Sequence, residues 1–140
     1  MPSGEQLISD LALSAHPEGG WYRRTWVAPS AGDERPAGSA ILYLLLEHER
    51  SVPHRIDATE LWHFYAGDPL ELRCEWPDGR LEVHVMGPDV LGGQESQVVV
   101  PPGIWQSARP LGPYALMGAT VCPAFTFEGF ELRADHQDEE

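Results

Sequence analysis

His54-Arg55-Ile56-Asp57-Ala58-Thr59-Glu60-Leu61-Trp62-His63-Phe64-Tyr65-Ala66-Gly67 decides how this chain is read. It spans the end of one expected strand, over 51–56, and the whole of the next, over 61–66. Gly67-Asp68-Pro69 then turns the chain. Side chains alternate across a strand. His54 and Ile56 therefore share one face. If Glu60 looks into an interior, Trp62 and Phe64 do too, while Leu61, His63 and Tyr65 look away.

The same two-residue period extends in both directions. Leu70, Leu72 and Cys74 alternate with Glu71, Arg73 and Glu75, which predicts a half-exposed strand over 70–75. Pro77-Asp78-Gly79 is a tight turn, and an alternating strand over 81–86 completes a hairpin. Residues 39–46 are apolar on both faces, as a central or covered strand requires. Further strands are expected over 21–27, 96–100, 105–108, 114–121 and 127–132, about ten in all, with loops over 28–38 and 87–93. Helical spacing appears only at the front, over 3–13, where Ser3 and Gln6 form a capping box and Leu7, Ile8 and Leu11 fall on one face. Pro17 and Gly19-Gly20 stop it. The 14 Gly and 13 Pro suit short strands joined by turns. The fold class expected is all-β, an antiparallel double-sheet barrel with a short N-terminal helix.

With 140 residues, 42% of them hydrophobic, the chain can build one core without staples. One domain over 1–140 is expected: helix at 3–13, barrel at 20–133 and a frayed acidic tail at 134–140. Nine basic residues against 22 acidic ones leave a net charge of −13. That repels nucleic-acid backbones and anionic membranes. Cys74 and Cys122 form no zinc or redox pattern and read as buried, reduced thiols. The longest apolar run, 40–46, is far short of the ~18 residues a membrane span needs. No basic-then-apolar leader opens the chain, so a cytoplasmic protein is expected.

Several stretches resemble the cupins. His54, Glu60 and Gly67, then Pro101-Pro102-Gly103-Ile104-Trp105-Gln106, keep the frame of the two short cupin motifs. In the metal-binding version a second His stands where this chain has Ile56, and a His stands where it has Gln106. A narrower resemblance is to a small single-domain cupin family long described as a domain of unknown function. It runs from His16-Pro17-Glu18-Gly19-Gly20-Trp21-Tyr22-Arg23-Arg24 through Glu60 to Leu72, then Val98 to Gln106, and closes at Phe125 to Leu132. The resemblance implies a homodimeric jelly-roll barrel with an internal cleft. Barrels of this kind are similar to nucleotide-sugar epimerases and germins.

That frame turns His54, Glu60 and Gln106 inward with the aromatic surface of Trp62 and Phe64. An apolar pocket with a few converging polar groups is how small-ligand sites are built. His54 and Glu60 are the candidate acid–base pair; in related deoxysugar epimerases the matching His acts as base. Gln106, Trp62, Phe64, Trp105, Glu18, Tyr22 and Arg24 are the candidate ligand contacts. Trp105 is expected to close the pocket, and Arg24 to hold a carboxylate or phosphate by its planar fork. A neutral amide is a poor ligand for transition metals, so no cofactor is assigned. A weakly bound divalent metal would have to use His54, Glu60 and Gln106, with His63 joining only if a bulge turned it inward. His16, His48, His84 and His136 read as surface or turn residues; Trp21 and Trp26 read as core or dimer interface. The function expected is binding of a carbohydrate- or nucleotide-sugar-like metabolite with epimerase or isomerase chemistry. The alternatives are a non-catalytic binding or sensing module and a metal-dependent oxygenase or lyase.

Overall fold

The computed structural model describes residues 3–133, so the acidic tail and His136 lie outside the described residues. A single helix, α1 (Gly4–Asp10), precedes strands β1 (Ser14–Ala15), β2 (Trp21–Val27), β3 (Ser39–Leu46), β4 (Ser51–Ile56), β5 (Thr59–Gly67) and β6 (Leu70–Glu75). They are followed by β7 (Leu81–Met86), β8 (Gln97–Val100), β9 (Trp105–Pro110), β10 (Tyr114–Cys122) and β11 (Phe130–Leu132). The strands form two sheets, ordered β1-β2-β3-β10-β5-β8 and β11-β4-β9-β6-β7. All of these pairings are antiparallel. The two sheets make a jelly-roll barrel, the architecture expected from the strand pattern.

Alternation explains the filling. Tyr43 and Leu45 of β3, Trp62 of β5, Leu70, Leu72 and Cys74 of β6, and Ala115 and Met117 of β10 meet in one buried cluster. β3 is central, between β2 and β10, as its two apolar faces demand. Its outer face is covered too, since Leu44 is fully buried and α1 packs against this strand. No helix among the described residues is long and apolar enough to cross a membrane.

Four local expectations are corrected. The helix stops at Asp10 rather than running to 13, because the chain turns at Ala12 with φ 54°; its cap is as expected, Ser3 Oγ accepting from Gln6 N–H at 3.1 Å. β1 was not anticipated, being two residues long. β11 starts at Phe130, since the segment before it is spent on a turn in which Gly129 N–H donates to Thr126 O at 3.2 Å. Cys122 is exposed, at the end of β10, whereas Cys74 is buried.

β7 has its apolar face outward. Glu82 and His84 stand opposite the buried Cys74 and Leu72, which leaves Leu81 and Val83 each 48% exposed and Val85 36% exposed. The hairpin register sets this, because β7 is an edge strand with one neighbour.

Candidate active site

Both sheets line one cavity of about 50 Å³. Its polar groups are His16 and Glu18 from the β1–β2 turn, Tyr22 and Arg24 from β2, Ser39 and Tyr43 from β3, His54 from β4 and Glu60 from β5. Ile41, Ile56, Trp62, Val121, Phe125 and Phe127 supply most of the apolar wall. The volume exceeds the roughly 10–15 Å³ one water needs and falls far below the ~300 Å³ of a site for a whole drug-sized ligand. It suits a small molecule, or one end of a larger one.

Sheet register delivers the β2 residues. Tyr22 pairs with Tyr43 and Arg24 with Ile41, all four on the cavity side. Arg23 points the other way, its Nε–H donating to Leu11 O at 2.8 Å. Arg24 has no hydrogen-bond or ion-pair partner among the described residues. In so acidic a protein, an unpaired guanidinium at a cavity is a place for an anionic group.

His54, 1% exposed, has a fixed tautomer. Its Nδ1 lies 2.8 Å from Val52 O. A carbonyl only accepts, so Nδ1 carries the hydrogen and Nε2 is the basic nitrogen. That Nε2 lies 3.3 Å from Glu18 Oε1. Glu18 Oε2 in turn accepts from the Ser51 hydroxyl. Tyr43 donates its hydroxyl to Gly19 O, the next carbonyl along; burial pushes this phenol well above its usual range, with Glu18 adding to the effect. His16 was not anticipated here. Its Nδ1 accepts the Glu18 backbone N–H at 3.1 Å. Burial lowers its pKa, against the opposing pull of Glu18, and its ring meets Tyr22 edge-on at 4.6 Å.

Glu60 is 8% exposed. Burial pushes its carboxyl up to about 7; Glu18 adds to the rise, while His54 and the Gln106 hydrogen bond oppose it. Gln106 donates to Glu60 Oε1 at 2.9 Å and accepts from Trp62 Nε1–H at 2.7 Å. Both ends of the amide are thus in use. Gln106 stands beside Glu60 inside the barrel rather than lining the cavity.

Two expected contacts lie elsewhere. Phe64 faces inward as parity requires, but two residues along a strand is about 7 Å, and it packs into the filled core beyond Trp62. Trp105 alternates with Gln106 and so faces outward. There it lines a separate groove with Arg73 and Glu75, and the guanidiniums of Arg55 and Arg133 lie over its ring at 4.5 Å and 4.6 Å.

The residues present do not fit the metal centre that the motif frame brings to mind. Ile56 lines the cavity where the frame has a His, the Gln106 oxygen is committed to Trp62, and His63 faces outward, its Nε2 3.1 Å from Thr120 Oγ1. Among the described residues no three His, Cys, Asp or Glu side chains are grouped to hold an ion.

Comparison with known proteins agrees with this architecture. The structure of protein SO0799 from Shewanella oneidensis is similar over 98% of this chain and 88% of its own, with a TM-score of 0.91 and 33% identity. The uncharacterized protein YML079W of Saccharomyces cerevisiae is 26% identical over 145 residues, covering 89% of this chain and 72% of the yeast protein. Oxalate decarboxylase from Bacillus subtilis shares the fold alone, with a TM-score of 0.67 and 13% identity over 84% of this chain and 29% of that one. Residues 5–133 match the family described as Cupin superfamily (DUF985), and the chain belongs to it.

Proposed function

We propose that this protein binds a small polar or cyclic metabolite, carbohydrate- or nucleotide-sugar-like, in the cytoplasm, and interconverts it by isomerase- or epimerase-type acid–base chemistry. The observation that carries this is that His54 and Glu60 line one cavity. Nε2 of His54 is the base. A proton taken there makes an imidazolium 3.3 Å from the Glu18 carboxyl, so charge is met where it develops. Glu60 keeps its own proton to about pH 7 and acts as the acid. Tyr22, Trp62 and Phe125 offer ring faces and edges to a cyclic substrate. Arg24 takes a carboxylate or phosphate through its fork. The cavity's about 50 Å³ admits the reacting end, so the rest of a nucleotide sugar would lie outside it. The chemistry is assigned to protein groups, with no cofactor. A homodimer is part of the proposal, with Trp26 and Val27, 50% and 41% exposed at the end of β2, as its contact.

The test is incubation with a metabolite mixture in deuterated water, read by mass spectrometry for products and for exchange. His54→Ala and Glu60→Gln are expected to abolish turnover while leaving circular dichroism unchanged. Full activity in either variant overturns the assignment. Saturable binding without product or exchange would make the protein a binding or sensing module. One equivalent of tightly held metal, with activity lost on chelation, would make it a metal-dependent oxygenase or lyase.

A further inference from the structure

Trp62 and Gln106 do more than fill the barrel beside the cavity. An indole N–H only donates. It reaches Gln106 Oε1 at 2.7 Å in a buried setting, so the oxygen end of that amide is committed to Trp62. The two ends of an amide are told apart by their partners. The NH2 end is thereby turned to Glu60, whose Oε1 it meets at 2.9 Å. An N–H needs a lone pair opposite it, so Oε1 must accept along that line and cannot present a proton there. Oε2 remains, and no described residue partners it.

We propose that Trp62 and Gln106 form a positioning relay that keeps the proton of neutral Glu60 on Oε2, the oxygen left for the cavity. Glu60 then meets its ligand as an O–H donor and selects an acceptor there: a carbonyl, carboxylate or ring oxygen. The chemical use of that donor rests on the acid–base reading above. The titratable groups around Glu60 are Glu18 from the β1–β2 turn, Tyr43 of β3, His54 of β4 and Cys74 of β6. Val100 and Val121 flank it within the sheet. Burial pushes the Cys74 thiol up to about 12 and the Tyr43 phenol well above its usual range. Neither changes charge where Glu60 titrates, which leaves Glu18 and His54 as the other titratable neighbours. Gln106 thus fills the place of a motif histidine with a group that hands one orientation on to a carboxyl.

An infrared pH titration of the full chain without ligand tests this. A protonated-carboxyl band that grows as pH falls through about 7, and is missing in Glu60→Gln, reports the group. In Gln106→Leu the carbonyl oxygen loses its donor. The band should move to higher frequency and its midpoint should rise by about one pH unit, because that donor favours the charged form. In Trp62→Phe the amide is free to turn over and offer its oxygen to the Glu60 proton, so the midpoint rises again while a ring still fills the core. In the unaltered protein, NMR of the Gln106 side-chain NH2 should follow the same midpoint. A folded variant with band and midpoint at the original positions overturns the relay, and so does an NH2 signal that ignores pH. None of these readouts needs turnover. Loss of the catalytic reading would therefore leave the relay standing, and failure of the relay would leave the turnover test to decide the catalytic reading.

Discussion

Glu60 should leave a signature in stability as well as in chemistry. Its carboxyl titrates at about 7 in the fold against an ordinary 4.5. The folded state therefore holds the proton more tightly than the unfolded one. The stability this contributes is complete below about 4.5 and is lost as pH rises through about 7. The amount is on the order of 3 kcal/mol at most, from the separation of the two values. His16 acts oppositely: burial lowers its pKa, so its contribution is lost as pH falls from 6.5 through the lowered value. The two windows overlap, so the readable quantity is a difference. Glu60→Gln should gain thermal stability relative to the unaltered protein between about pH 5 and about pH 8; parallel melting curves across that range would refute the burial account. His54, Glu60, Glu18, Tyr22 and Arg24 were readable in sequence because motif frame and strand parity aim them at one cavity. His16 was not, because no strand period reaches it. Its signal was the single intervening residue that separates it from Glu18. Trp105 was misplaced although the signal was present, since adjacent residues on a strand cannot share a face.

At the level of elements, the β1–β2 turn places two of the site's polar groups, His16 and Glu18. His16 N–H donates to Gly20 O at 2.9 Å, and Val52 N–H donates to Glu18 O at 2.9 Å, which ties the turn to β4. The geometry depends on glycine. Gly19 has φ 107°, and a Cβ there would run into the Arg50 carbonyl oxygen. Gly19→Ala should cost about 3 kcal/mol in urea unfolding, combining backbone strain with the overlap, and should weaken ligand binding by displacing Glu18. Gly32 is the control. It too has positive φ, 54°, but nothing lies within 4 Å of an added Cβ, so Gly32→Ala should cost about 1 kcal/mol and leave binding alone. Equal costs at the two positions would remove the case for the Arg50 contact. In sequence, Gly19-Gly20 reads only as a helix stop, because a glycine pair announces an unusual backbone but not which distant carbonyl it must clear. The β7 hairpin shows the converse. Its bounds follow from alternation, yet which face is buried does not, because an edge strand takes its register from its turn and its one partner.

For the whole molecule, a net charge of −13 bears on assembly. Two copies repel, and ions screen that repulsion over about 8–10 Å at physiological strength. A dimer held by apolar contact must therefore tighten as salt is added, the reverse of one held by ion pairs. Much of the outer face of the five-stranded sheet is already occupied internally: Arg55 pairs with Glu131 at 2.8 Å, and Arg109 with Glu71 and Arg133 with Glu75 at 3.0 Å each. Trp26 and Val27 lie on the other sheet, where β2 runs beyond its two-residue partner β1 and leaves both half-exposed, one on each face. The proposed homodimer should accordingly be weaker at about 0.01 M salt than at about 0.15 M in sedimentation equilibrium, with the Debye length falling from about 30 Å to about 8 Å between them. Trp26→Arg should shift the mass toward monomer at both strengths. Val83→Arg, on the apolar outer face of β7, should not. If Val83→Arg dissociates the protein and Trp26→Arg does not, the contact belongs to the β7 edge. If the unaltered protein sediments as a monomer throughout, the exposed end of β2 needs another explanation, and a site assembled within one chain would have to act alone.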